Sequence, residues 1–148
     1  MVFFALRLVV PYLEFRKKPV PTTIPTELTE VIDRLNNEST NDEDFLYKSY
    51  DYVVSKYYGN HHKSITMFWK AFQNPFKQKD GFMHCMGQNI ILRTMLIKSG
   101  RFRDEDIELK ITGISGFIHQ YLLVSIGDCV MKVDPWSHFR GRRISQVK

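Results

Sequence analysis

Cys85-Met86-Gly87-Gln88-Asn89-Ile90-Ile91-Leu92-Arg93-Thr94-Met95-Leu96-Ile97-Lys98-Ser99-Gly100 is the stretch on which the fold turns. Residues 86–98 are too many for a typical strand and contain good helix formers, so they predict a helix. Gly100 suits the position just past its end, and Lys98 meets the negative end of the dipole in the last turn. The segment is apolar nearly all round, which predicts burial. Gly81, a few residues earlier, suits an inward turn of the chain. Cys85 then falls at or near the helix N-terminus. Unpaired N–H groups and the positive dipole end favour a thiolate at such a position. The same N–H groups can stabilise an oxyanion.

Downstream, Ile118–Ile126 is strongly β-prone, and Gly127-Asp128 suits a two-residue hairpin turn of type I′ or II′. Counting back from that turn sets Ile126 opposite Cys129, Leu123 opposite Lys132, Tyr121 opposite Asp134 and His119 opposite Trp136. His119 and Tyr121 share a face by strand alternation. His119 and Asp134 are therefore diagonal neighbours on one face, a separation that long side chains span. The same count puts Cys129 on the other face with Met131 and Val133, which makes Cys85 the candidate nucleophile. Ile107, Leu109 and Ile111 alternate with Glu108, Lys110 and Thr112 as a further half-buried strand. Gly113 and Gly116 bracket a short turn before the His119 strand.

Upstream of Cys85 the pattern is helical. Pro11, Pro19, Pro21 and Pro25 make the first 25 residues an extended arm, with Arg16-Lys17-Lys18 as a solvated basic cluster. Thr26 is a candidate cap for an amphipathic helix over 27–36, with Leu28, Val31, Ile32 and Leu35 on one face. Asn41 or Asp42 caps the next, whose apolar side is Phe45, Leu46, Tyr50, Val53, Val54 and Tyr57. Tyr58-Gly59-Asn60 ends it, and His61-His62-Lys63 is expected as an exposed turn. Ser64 caps a third helix through Gln73, with Met67, Phe68, Ala71 and Phe72 as its buried side. The chain divides into an arm (1–25), a helical part (26–80), a core carrying the candidate site (81–136) and a basic end (137–148).

The 148 residues suffice for one domain with a real core, and 43% hydrophobic content argues against disorder. A net charge of +5 and a pI near 9.2 permit an acidic partner or a membrane surface without requiring either. No nucleic-acid motif is visible. Met1–Val10 is apolar but interrupted by Arg7 and far short of the roughly 20 residues that span a bilayer. It lacks the charge and cleavage pattern of a signal peptide. An opening strand or core-docking arm is expected there, with membrane contact as the weaker alternative. Two cysteines in unlike environments predict no disulfide, and reduced thiols fit a cytoplasmic protein.

A cysteine opening a buried helix, a histidine on a strand and an aspartate ending the next strand resemble the transglutaminase-like superfamily. Asp134-Pro135 after a β run is similar to that family's aspartate motif. Tyr52-Val53-Val54 with Lys56-Tyr57-Tyr58-Gly59 is similar to its N-terminal helix. The resemblance covers roughly residues 42–136 and rests on order and spacing. Where the family often has Gly-x-Cys, this chain has His84-Cys85-Met86-Gly87. The implied fold is α+β, with N-terminal helices and a buried cysteine helix on a small antiparallel sheet. By analogy with papain-like enzymes, Gln78 is a weak candidate oxyanion donor, with a plain surface glutamine as the favoured reading. Trp69 is a second weak candidate, since some transglutaminase-like enzymes have an upstream aromatic.

The chemistry these residues allow is acyl transfer to a thiol. His119 holds the ion pair and protonates the leaving amine, and Asp134 orients the ring. Water completes a hydrolysis and a lysine amine a transamidation, with a peptidase or amidase favoured over a cross-linking enzyme. A peptide or protein substrate is expected and no cofactor is required; no acidic loop has calcium-ligand spacing. A lone buried cysteine is commonly inert, and a lone histidine on a strand is often a satisfied core group. The argument rests on the three together. His84 and His138 are alternative bases. A zinc site on Cys85, His119, Asp134 and His84 and a non-catalytic binding module with a basic surface are the competing readings.

Overall fold

The computed structural model describes residues 17–114 and 117–147. The expectations for Met1–Val10, for Arg16 and for the turn between Gly113 and Gly116 fall wholly or partly outside them. The rest is a mixed α and β fold built around the cysteine-bearing helix. Helix α1 (Thr26–Glu38) and α2 (Asp42–Lys56) lead to a two-residue strand β1 (Tyr57–Tyr58), then a short helix α3 (His61–Thr66). Strand β2 (Gly81–Phe82) pairs with β1 in parallel and introduces α4 (Cys85–Lys98). Strands β3 (Ile107–Ile114), β4 (Phe117–Ile126), β5 (Cys129–Val133) and β6 (Ser145–Val147) form an antiparallel sheet in sequence order.

Helix α4 contacts both upstream helices and the sheet. The core joins Leu28, Ile32 and Leu35 of α1 to Phe45, Leu46 and Val53 of α2. It continues through Ile91, Leu92, Met95 and Leu96 of α4 to Leu122, Val124, Met131 and Val133 of the sheet. A helix enclosed on several sides needs apolar residues all round, which is why α4 has them. Two of its buried polar residues are tied to neighbouring elements. Arg93 is buried and donates to Asp104 Oδ1 at 3.1 and 2.6 Å through Nε and Nη2. Asn89 Nδ2 donates to the Gln120 carbonyl of β4 at 2.9 Å, tying helix to sheet.

The hairpin register is the counted one. Ile126 pairs with Cys129 and Leu123 with Lys132 across Gly127-Asp128, and Gly127 takes φ 56°, the left-handed conformation that primed turns require. The ladder stops at Leu122 and Val133, just short of Asp134.

Several local expectations are corrected. Pro25, not Thr26, occupies the cap position of α1, because its extended backbone leaves Thr26 as the first helical residue. Asn41 caps α2, accepting from Asp44 N at 2.8 Å. The third helix does not run from Ser64 to Gln73. Asn60 caps it, so His61-His62-Lys63 is a helix start rather than a turn. After Thr66 the chain tightens into a 3-10 turn over Phe68–Phe72. Its apolar residues are not buried as a face: Phe68 is 59% exposed and Phe72 39%. The basic end also contributes β6, three residues being too few to show a period. Lys17 is not a free solvated cation, since it pairs with Asp104 at 3.2 Å and donates to the Ile107 carbonyl at 2.6 Å.

Candidate active site

Cys85 is the first residue of α4. His84, the cap residue before it, is extended, and no side chain caps the helix. The first intrahelical bond formed there is Gln88 N to His84 O at 3.2 Å. The N–H groups of Cys85, Met86 and Gly87 precede it and are the orphan donors of a helix start. The thiol is half-buried and lies close enough to the His119 side chain to help hold that ring in its protonated form.

His119 lies in β4 and is 3% exposed. Its Nε2 is 2.8 Å from Asp134 Oδ2, which leaves Nδ1 for the cysteine. Asp134 is also buried, and its other oxygen accepts from Ser137 N at 3.2 Å. That second bond comes from the 3-10 turn Trp136–Arg140, which locks the carboxylate as the chain leaves β5. Burial works against a charged ring at His119, but the bonds to Asp134 and Cys85 outweigh it and push its pKa up to about 9. The imidazolium is therefore the favoured form near neutrality, facing a thiol on one side and a carboxylate on the other.

Trp136 forms the lid over this group. Its ring centroid is 5.1 Å from that of His119, 5.0 Å from His61 and 5.2 Å from Phe139. Gly59 makes room for it. A Cβ at position 59 would lie 2.2 Å from the Trp136 carbonyl oxygen and 2.7 Å from the indole. Gly59 is thus needed for close approach rather than for backbone freedom. Both residues were visible in the sequence, Trp136 as the position opposite His119. Neither carried a signal of its role, because the close approach joins segments 77 positions apart.

The remaining candidates have other engagements. His84 is held through Nε2 at 3.2 Å from the Met67 carbonyl, and burial lowers its pKa. His138 Nδ1 is 3.0 Å from the Tyr50 hydroxyl, which also donates to the Arg142 carbonyl at 3.2 Å. Gln78 donates its amide to the carbonyls of Lys70, at 3.0 Å, and Gln73, at 3.4 Å. Trp69 is half exposed and meets Phe68 edge to face, with ring centroids 5.9 Å apart. Cys129 is exposed at the far end of the hairpin, 3.2 Å from Gln146 Nε2. Of the five predicted site residues the structure joins Cys85, His119 and Asp134, while Gln78 and Trp69 belong to the 61–78 segment.

Among the described residues no cluster of three or more histidine, cysteine or acidic side chains could hold a metal ion. No described helix is long and apolar enough to cross a membrane. Comparison with family models, with curated proteins and with solved structures finds no match for this chain.

Proposed function

We propose that this protein is a cysteine-dependent acyl-transfer enzyme of transglutaminase-like fold that hydrolyses amide or peptide bonds. The observation that carries the reading is the buried His119–Asp134 pair, 2.8 Å apart, beside a Cys85 thiol at the start of α4 that helps raise the His119 pKa. The Cys85 sulfur attacks the substrate carbonyl carbon as thiolate. The developing oxyanion is received by N–H groups at the start of α4, chiefly that of Cys85 itself. His119 gives the proton on Nδ1 to the leaving amine as the C–N bond breaks, and a thioester remains. His119, now neutral, takes a proton from water, whose oxygen attacks the thioester. The acid product leaves and the thiolate–imidazolium pair is restored. Asp134 keeps Nε2 protonated and fixes the ring direction throughout.

No step needs a cofactor. The mechanism requires Cys85 as a free thiol, so the reading also assigns the protein to a reducing compartment such as the cytoplasm. The test is labelling followed by turnover. Iodoacetamide near neutral pH is expected to modify Cys85 well before Cys129, and a peptide library to be cleaved. Cys85→Ser should lower turnover by at least about 10³-fold, as loss of a nucleophile does elsewhere. Equal slow labelling of the two thiols would sink the proposal.

A further inference from the structure

Among the described residues, 61–72 hold four of the large exposed apolar side chains within eight positions. Ile65 is 58% exposed, Phe68 59% and Trp69 48%. Phe68 also meets Phe72, with ring centroids 6.2 Å apart, so the three aromatics form one connected cluster. Apolar side chains clustered outside the core are unusual enough to need a reason. Two anchors place this segment relative to the triad. At its start His61 rests against Trp136, the ring that covers His119. In its middle the Met67 carbonyl holds His84, the residue immediately before Cys85. Lys70 adds a third tie, donating to the Phe82 carbonyl at 3.1 Å. The segment thus bridges from the histidine side of the triad to its cysteine side. Ile65 and Phe68 lie on this bridge, with Phe72 just beyond.

We propose that this aromatic ledge is the specificity subsite of the enzyme, and that it takes a bulky apolar or aromatic side chain of a peptide substrate. The inference rests on the reading of Cys85 as nucleophile. The carbonyl of Met67, next to Phe68 in the chain, is 3.2 Å from the ring of His84, next to Cys85, so the ledge adjoins the thiol and is placed to meet a side chain near the scissile amide of an extended peptide. The partner is apolar because the ledge offers aromatic faces and, at Phe68 and Phe72, no polar group with which to prefer a charged side chain. It is one side chain rather than a folded protein because the segment is short and anchored at both its ends. Lys70 and Gln78, the polar side chains behind it, are engaged with backbone carbonyls.

The experiment is the cleavage of a randomised peptide library by the wild-type chain, by Phe68→Ser/Phe72→Ser and by Phe68→Leu. Wild type should favour Phe, Leu or Trp over Ser, Gly or Asp by about tenfold or more at one position within three residues of the cut. The double serine variant should lose that preference through a higher KM. The leucine variant should retain most of it. Iodoacetamide, too small to need the ledge, should modify Cys85 in all three at equal rates. Ile111→Ser, an exposed apolar residue of β3, serves as the control and should leave the preference intact. Rapid Cys85 labelling and cleavage with no apolar preference, or a preference unaltered in the double variant, would overturn the subsite and leave the enzyme standing. Slow labelling and no cleavage would overturn both.

Discussion

Helix α4 and the segment from His61 to Gln78 are both rich in apolar residues, lie on either side of the same thiol, and end up in opposite environments. In α4 Leu92, Met95 and Leu96 are fully buried. In the other segment Ile65, Phe68 and Trp69 face water. What separates them is the number of layers available. α4 has α1 and α2 on one side and the sheet on another, so each direction around it meets an apolar partner. The 61–78 segment lies outside α4, and among the described residues its Ile65, Phe68, Trp69 and Phe72 have no apolar layer over them. Its own structure breaks into a short helix and two 3-10 turns, whose poorer hydrogen bonds reflect the lack of a packed face. The first region sets the position of Cys85; the second keeps several apolar side chains exposed.

The sharpest test of that contrast is thermodynamic. Leu92→Ala removes a side chain with no exposed surface and should cost about 2–5 kcal/mol by denaturant unfolding, the range for a poorly collapsible core cavity. A loss below about 1 kcal/mol would mean that α4 is not enclosed as described. Gly59→Ala strikes the seam between the two regions. The added methyl would meet the Trp136 carbonyl, so either β1 or the Trp136 turn must shift. A cost of about 1–3 kcal/mol is expected, with a larger fall in Cys85 alkylation rate than Leu92→Ala gives at equal residual stability. Unchanged labelling would detach Trp136 from the site.

The legibility of the two regions in the sequence follows the same division. The hairpin register was readable from Leu122–Val133 to Ile126–Cys129 because a two-residue turn fixes those pairs. The counted pairs of Tyr121 with Asp134 and His119 with Trp136 lie beyond the end of the ladder, and His119 and Asp134 meet through their side chains instead. The burial of α4 was readable because an apolar segment all round has few other places to go. Residues 61–73 were misread because helical spacing of Met67, Phe68 and Ala71 signals a face but not whether a partner exists to cover it. Pro25 displaced Thr26 as cap because backbone conformation, not side-chain chemistry, decided the first helical residue. Asn60 and Ser64 are both good caps by residue type, and only the path of the chain after Gly59 selected Asn60. The Ser137 N–H to Asp134 bond depends on a turn that no periodicity announces.

Electrostatics sharpens the contrast from the buried side. The His119 pKa is raised above the ordinary histidine value, so the folded state holds a proton that the unfolded chain gives up earlier. Its contribution to stability is fully present below about pH 6.5 and is lost as pH rises through about 9. Amide cleavage needs the same proton for the leaving amine, so turnover should halve near pH 9. Alkylation of Cys85 needs only the thiolate and should continue above that pH. Asp134→Asn removes one of the two bonds that raise the pKa and should bring the alkaline limb down by on the order of one pH unit. An alkaline limb that stays near 9 in this variant would show that Asp134 does not set the charge on the ring.

The smallest effect is expected where the apolar surface is open. Ile65→Ser removes a branched apolar side chain, a change that in a core would cost several kcal/mol. At 58% exposure the side chain has little burial to lose, and helix α3, only one and a half turns long, has little propensity to forfeit. Unfolding free energy should change by less than about 0.5 kcal/mol. The informative failure is a destabilisation above about 1 kcal/mol, which would mean that something covers Ile65 in solution and that the ledge is already occupied. A neutral result, beside a large loss at Leu92, would fix the difference between the two regions as one of enclosure rather than of composition.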